Sequence, residues 1–460
     1  MQSSSSYSRS VSIPQLRTLF DGRVLAPGDA EYDAARTPFY GGIDRKPAAI
    51  VRPIDAAEVA RVVTFAREAD VELAIRSGGH SLAGYCISDG GLVLDLSKMR
   101  ALEIDVDRRT AWAQAGLTTG EYTAAAAEHG LATGFGDTGT VGIGGITTGG
   151  GIGFLIRKHG LTIDDVLAAE VVTADGQVLQ ANATSHPDLF WAIRGGGGNF
   201  GVVTRFQFRL HPLPSIVGGM MFLPASADLL HKFVAQADAS PEELTAIVNV
   251  MKAPPMPPFP PAYHGKLVIM AFLVWAGETE AGLKAVAPFR TLATPILDMV
   301  GPKTYPEMFP PEPHGYHPVA AARTMFVDAV PRAMTDAMFE QLETSTAKMP
   351  VTQVRLLGGA ASRVSSDATA YAHRGRNFMI NIAALYDRPE EASVHQGWVA
   401  RYASAINPDD TSAYVNFIGA EGQARVRDAY PDATWERLRR IKRQYDPANV
   451  FRLNQNIPPA

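Results

Sequence analysis

Gly134-Phe-Gly-Asp-Thr-Gly-Thr-Val-Gly-Ile-Gly-Gly-Ile-Thr-Thr-Gly-Gly-Gly-Ile-Gly153 puts ten glycines into twenty residues. Two more clusters flank it in the chain. Arg76-Ser-Gly-Gly-His80 directly follows a strand-like run, and Gly195–Gly198 continues into Asn199-Phe-Gly201. Glycine lets backbone N–H groups turn toward a ligand and lets that ligand come close. Taken singly, each cluster is also readable as a tight turn or bulge. Three of them in one strand-rich region point to a large anionic ligand, a dinucleotide diphosphate.

The glycines do not make a Rossmann site. Gly134-Phe-Gly136-Asp-Thr-Gly139 and Gly196-Gly-Gly198-Asn-Phe-Gly201 both match GxGxxG. The fingerprint, however, needs a strand before it and a helix after it, so that phosphate meets the helix N-terminus. The first match follows a helix and enters more glycines. The second follows the helical stretch Asp188–Arg194 and enters a strand.

Outward from the clusters, short helices alternate with β-branched runs from Pro47 to about Leu210. Asp55-Ala-Ala-Glu58 reads as a capping box before the apolar stripe Val59, Val62, Val63 and Ala66. Val71–Arg76 and Leu92–Leu96 read as buried strands. Ala101–Val106 and Ala111–Ala115 predict a hairpin with a three-residue loop, Asp107–Arg109. Thr118 opens an alanine-rich helix that stops at Gly130. Val166–Thr173 and Val178–Leu179 predict a second hairpin around Asp175-Gly176. Val202–Leu210 alternates as a half-buried strand should. Without strict βαβ repetition the architecture is α+β. His211-Pro-Leu-Pro214 marks a boundary, beyond which glycine gives way to proline. Pro254–Pro261 and Pro310–Pro318 are lids over a second domain or ordinary linkers. The tail carries a strand-like Tyr414–Phe417 and a helix around Ala433–Gln444. The expected division is 1–212, 213–410 and 411–460.

Composition limits the function classes. The 460 residues carry 42 basic and 47 acidic side chains, a net charge of −5, so a nucleic-acid partner is not expected. A hydrophobic content of 46% permits a large core. The single cysteine, Cys86, excludes a disulfide framework and a Cys-rich zinc site. No apolar run reaches the about 18 residues of a membrane span. The polar N-terminus lacks the apolar segment of a signal peptide, so a cytoplasmic protein, monomer or homodimer, is expected. His314-Gly-Tyr-His317 is a weak metal signal, better read as a solvated loop, and no metal is expected.

Arg76-Ser-Gly-Gly-His-Ser-Leu-Ala-Gly84, Asp89–Ser97 and Gly142–Gly153 resemble the berberine-bridge-enzyme-like branch of the vanillyl-alcohol-oxidase/p-cresol-methylhydroxylase flavoproteins. Asp188–Thr204 and Tyr445-Asp-Pro-Ala-Asn-Val-Phe-Arg-Leu-Asn-Gln-Asn456 are similar to the same family. The pattern is closest to its bacterial members. The resemblance spans nearly the whole chain and is weak between about 215 and 350. It implies a two-domain fold: a PCMH-type FAD-binding domain, made from the N-terminal half plus the C-terminal tail, and an antiparallel-sheet substrate domain backed by helices.

The resemblance also implies a site. His80 matches the histidine bonded covalently to the flavin 8α-methyl carbon, and a neutral imidazole is a competent nucleophile. A second link through cysteine is not expected, because its family position holds Thr138 and Cys86 lies six residues past His80. Cys86 is read as a buried, inert thiol. Arg76, Ser77, Gly78, Gly79, Ser81, Gly84, Gly142, Gly144, Gly145, Thr148, Gly149, Gly150, Gly151, Gly153 and Val203 match cofactor-binding positions. Val141 matches a position beside the flavin where a small side chain goes with oxygen reactivity. Tyr414 matches a tyrosine set over the flavin, as a catalytic base or as a packed ring. Arg355 or Arg363 is the cation expected near it. Asn416 bonds the flavin or the strand edge. Asn454 and Gln455 return to the pocket or form a polar tail. Counting back from Ala372-His373-Arg374 to the usual base position reaches Ser362, a poor base. Tyr371, with Tyr263, Trp275, Tyr305, Phe309 and Tyr316, lines the substrate pocket or packs in the core. The activity implied is oxidation of a C–OH or C–N bond of a small molecule, with FAD as cofactor and O2 as acceptor. A dehydrogenase, an oxidative cyclase or a flavin-loaded binding protein is the alternative.

Overall fold

The computed structural model describes residues 11–255, 259–309, 312 and 315–460. The polar N-terminus (1–10) and parts of both proline clusters, including His314, lie outside the described residues. Three large sheets, with a two-stranded one joining Leu131–Ala132 to His211–Pro212, organise the rest. The first holds Val24–Leu25, Ala49–Val51, Leu92–Asp95 and Leu73–Arg76 in that spatial order, and its last three strands run parallel. Parallel strands buried on both faces read as continuous apolar runs, and Ala49–Val51 and Leu92–Asp95 are buried throughout.

The second sheet is antiparallel, in the order Leu102–Asp105, Thr110–Gln114, Val202–Arg209, Val166–Val172 and Val178–Asn182. Both expected hairpins are present. The first closes at the Asp105–Thr110 pair, so its loop is Val106–Arg109, four residues rather than three. Arg109 takes the left-handed conformation there, with φ of 51°. Two helices pack near these sheets. Ala56–Glu68 is capped by Asp55, which accepts from the Glu58 N–H. Thr119–Ala127 carries a complete capping box from Thr118 and Glu121.

The third sheet has eight antiparallel strands between Ile216 and Tyr386. Its central strands alternate cleanly, as period-2 geometry requires. Val354, Leu356, Ile380, Ile382 and Ala384 join Leu230, Phe233, Met338, Trp398 and Tyr402 from the covering helices in one core. The opposite face, with Val351, Gln353, Arg355, Asn381 and Ala383, looks into a cavity.

The C-terminal segment packs against the first two sheets. Trp435, Leu438 and Ile441 of the helix Asp432–Tyr445 share a core with Val59, Leu94 and Phe200. Lys442 on this helix is buried, and burial pulls its ammonium pKa below the usual lysine value. Its Nζ donates to Asp446 Oδ2 at 2.7 Å, Asn199 O at 2.8 Å and Phe451 O at 3.0 Å. The tail is thereby tied to the third glycine cluster. Tyr414–Phe417 is not a strand: Val415–Phe417 form a 3-10 turn, and Tyr414 N–H donates to Thr324 Oγ1. The described residues contain no helix long and apolar enough to cross a membrane and no cluster of three potential metal ligands.

Candidate active site

All three glycine clusters reach one cavity of about 660 Å3 between the first two sheets and the open face of the third. That volume lies in the ordinary range for cofactor and ligand sites. The loop after Leu73–Arg76 supplies Ser77, Gly78, Gly79, His80 and Ser81 to its wall. The second cluster supplies Asp137, Thr138, Val141, Gly142, Gly144, Gly145 and Thr148, and the third supplies Gly197 and Gly198, with Val203 beyond. Tyr414, Asn416, Asn454 and Gln455 complete it from the C-terminal segment.

Backbone contact between the first two clusters explains their composition. A Cβ on Gly78 would stand 2.2 Å from Gly142 N, and a Cβ on Gly142 would stand 2.2 Å from Gly78 N. Ser77 Oγ locks the pair by donating to Ala115 O at 2.6 Å and accepting from Gly144 N–H at 3.3 Å.

His80 sits half-buried in the cavity wall, with its ring stacked on Phe39 at 4.1 Å and Nε2 3.0 Å from Thr140 Oγ1. Burial pulls its pKa down to about 4, so the ring is neutral near pH 7. Cys86 is buried and its thiol is pushed up by burial, with Sγ 3.7 Å from Gly79 O. A thiol so held is protonated and unreactive at neutral pH.

Tyr414 is buried in the cavity wall. Its hydroxyl oxygen accepts from Gly151 N–H and from Asn416 Nδ2, both at 2.9 Å. Burial raises the phenol, while these two donors and the Arg355 charge pull it back. Asn416 Nδ2 also donates to Ile146 O at 3.1 Å. Arg355 lies on the cavity floor, where its guanidinium donates to Gln353 Oε1 and to Asp137 Oδ2, each at 2.6 Å, and stands 5.1 Å over the Phe417 ring.

Several expected residues stand elsewhere. Ser362 is exposed on the short helix Ala360–Arg363, and its hydroxyl bonds Gly359 O. Arg363 faces outward to Glu242, leaving Arg355 as the cation near Tyr414. Tyr371 is buried behind Tyr414, ring centroids 6.2 Å apart, and does not reach the cavity. Tyr263, Trp275, Tyr305 and Phe309 also pack away from it, and Tyr316 alone of that set lines it. Gly149, Gly150, Gly151 and Gly153 lie behind the wall. They make room for Asn416, for Tyr371 and Tyr414, for Thr162 and for the Phe135 carbonyl respectively. Arg76 anchors the N-terminal segment through Ala35 O and Thr37 O, and Gly84 turns the loop against Ile43.

Phe39, Tyr40, Gln353, Asp137 and Asn381 line the cavity without having been singled out from sequence. For Gln353 the alternation Val351, Gln353, Arg355 carried a readable signal. Phe39 and Tyr40 come from an irregular segment without one.

The cavity lining fits a bound dinucleotide. Among the described residues, Asn454 Oδ1 and Asn381 Oδ1 are buried acceptors without partners, and both side chains line the cavity. A Cβ on Gly145 or Gly198 would meet only open space. The backbone at these two glycines thus borders open space, where a ligand can come close.

Comparison with known proteins agrees. A family described as "FAD binding domain" matches residues 47–182, and one described as "Berberine and berberine like" matches 413–458. The FAD-linked oxidoreductase YvdP of Bacillus subtilis (strain 168) is 30% identical over 457 residues, 96% of this chain and 99% of that protein. The (R)-6-hydroxynicotine oxidase of Paenarthrobacter nicotinovorans is 28% identical over 458 residues, 95% of this chain and 97% of that one. The solved xylooligosaccharide oxidase of Myceliophthora thermophila C1, in complex with xylobiose, superposes with a TM-score of 0.85 at 25% identity, covering 98% of this chain and 100% of that one. The chain therefore belongs to the FAD-linked oxidoreductases that pair this FAD-binding domain with a berberine-like C-terminal segment.

Proposed function

We propose that the protein is an oxidase that carries FAD on a single bond to His80, oxidises a C–OH or C–N bond of a small molecule, and passes the electrons to O2. The observation that carries this reading is His80: a neutral, stacked imidazole in the wall where the first two glycine clusters meet. Thr138 replaces the cysteine of a second link, and Cys86 is buried and protonated. Gly78, Gly145, Gly198, Asn454 and Gln455 would hold the cofactor. When bound there, FAD would supply two-electron redox chemistry, with the electrons of the oxidised substrate passed on to O2.

The chain's own residues manage the proton. Holding an ordinary phenol of pKa about 10 as phenolate at pH 7 costs about 4 kcal/mol, and burial adds to that. Two N–H donors and the Arg355 charge act in the opposite direction, since all three favour negative charge on the Tyr414 oxygen. Tyr414 is the group placed to accept a substrate proton, and Gln353 is the side chain of the third sheet placed to orient the substrate. Val141, a small side chain in the wall, leaves the approach of O2 open. Relatives named as oxidases of 6-hydroxynicotine and of xylooligosaccharides are consistent with a small organic substrate.

Acid precipitation of the purified protein tests the link: the yellow colour must stay in the pellet for wild type and move to the supernatant for His80→Ala. A screen of alcohols, sugars and amines for peroxide release tests the activity. Slow reoxidation of the reduced protein in air would replace the oxidase with a dehydrogenase.

A further inference from the structure

We propose that Asp137 is a positioning residue for Tyr414 that acts through Arg355: its carboxylate balances the charge that the guanidinium, held also by Gln353 and Ile152, presents to the phenol. The inference rests on Tyr414 being the proton acceptor proposed above. The two partners come from different parts of the fold. Asp137 lies in the second glycine cluster, and Arg355 lies on the strand Met349–Leu356 of the third sheet. Asp137 Oδ2 meets the guanidinium at 2.6 Å, with side chains 23% and 4% exposed, so the pair is shielded from salt. The Arg355 fork is held on two other sides, by Gln353 Oε1 at 2.6 Å and by Ile152 O at 3.5 Å. Gln353 is itself fixed by donating to Asn249 Oδ1 at 2.8 Å. The guanidinium is therefore a fixed charge, and its net effect at the phenol depends on what neutralises it.

Around the Tyr414 ring, Arg355 is the charged group whose pull on the phenol stands out. Its other neighbours are Asn416 and the Gly151 N–H, the Phe417 ring at 5.2 Å and the neutral phenol of Tyr371. Asp137 pairs with Arg355 and acts on the phenols of Tyr40 and Tyr305. Tyr40 is pushed up to about 12 and Tyr305 higher still, chiefly by burial, so both are neutral and only Arg355 balances the carboxylate. Glu312, also in the cavity wall, acts on Tyr40.

The consequence is signed. Removing the carboxylate leaves Arg355 unbalanced and makes phenolate easier to form. Removing the guanidinium does the reverse. A nearby unit charge shifts a titratable group by about one pKa unit or more.

The test places 3,5-difluorotyrosine at position 414 of the purified protein. Fluorine acidifies the phenol so that it titrates where the protein is folded, and 19F NMR follows that single group without substrate. Asp137→Asn must move the titration about one pH unit to acid, Asp137→Glu must bring it back, and Arg355→Gln must move it to alkaline pH. An unmoved or alkaline-shifted titration in Asp137→Asn overturns the proposal. Should that variant not fold, Arg355→Gln decides alone, and absence of an alkaline shift overturns it. Tyr414→Phe assayed for turnover tests the acceptor role separately. An active Tyr414→Phe sinks that role, while the 19F titration still reports on the Asp137–Arg355 pair.

Discussion

Lys442→Met isolates one buried charge pair at full strength. The Lys442 and Asp446 side chains are both 0% exposed. All three ammonium protons are used, on Asp446, Asn199 O and Phe451 O. Methionine keeps the apolar stem and most of its packing, so the change removes charge and donors with little loss of volume. Asp446 keeps only the N–H groups of Val450 at 2.7 Å and Phe451 at 2.9 Å. An ion left without its buried partner costs about 3–5 kcal/mol. Recovery of the lysine's own desolvation does not cancel this, because Asp446 stays buried without a partner cation. At about 2–4 °C per kcal/mol for a unit of 150–250 residues, the transition that reports this region should fall by about 10 °C. Thermal unfolding by circular dichroism and tryptophan fluorescence measures it, with Trp435 and Trp191 in the same core. A chain of several folding units need not melt in one step, so the shifted transition is the quantity to compare. One signature separates this cause from general damage: adding Asp446→Asn to Lys442→Met should recover part of the loss. A Lys442→Met protein that melts within about 2 °C of wild type would refute the reasoning, because so small a shift corresponds to about 1 kcal/mol or less.

Three further outcomes are expected. Flavin attachment to apoprotein, followed by acid-stable absorbance, should hold its rate from neutral pH down to about 4, because burial keeps the His80 lone pair free; a limb near the ordinary histidine value of about 6.5 would mean the imidazole is solvated. Gly142→Ala brings a methyl to 2.1 Å from Ser77 Oγ and 2.2 Å from Gly78 N; the overpacking costs about 1–3 kcal/mol or more, and thermal unfolding together with the flavin-to-protein absorbance ratio should both fall. His159 and His373 are held down to about 3 and about 4 by burial, whereas in the unfolded chain each returns to about 6.5. The unfolded state then binds more protons, so stability is full above about pH 6.5 and declines toward about pH 4; melting curves across that window should lose this slope in part in His373→Phe.

The glycine clusters were readable because backbone function leaves no alternative residue type. Where a Cβ has no room, as between Gly78 and Gly142, the sequence must write glycine, and His80 follows within the same loop. Paired strands such as Val166–Val172 with Val202–Arg209 were readable because alternation is imposed by a half-buried sheet. Ser362 failed for a different reason. Its position was counted across a loop, and loops change length without changing the sheet they serve. The residues that occupy the matching face, Gln353 and Arg355, were marked by alternation on their own strand, a local signal that does not drift. Tyr414–Phe417 carried a strand-like composition, yet Thr324 and Asn416 bend it into a turn, a contact between residues about ninety positions apart that no local pattern records. The position of Tyr371 behind Tyr414 is set by Gly150 and Gly195, whose missing side chains leave the space it fills.

The wall that faces His80 is assembled from residues spread between Phe39 and Gln455. A growing polypeptide on the ribosome has His80 early and lacks Tyr414, Asn416, Asn454 and Gln455 until its final stretch is released. If the proposed link to His80 forms only in the closed cavity, attachment waits for synthesis to end, and a product truncated before Tyr414 would be colourless.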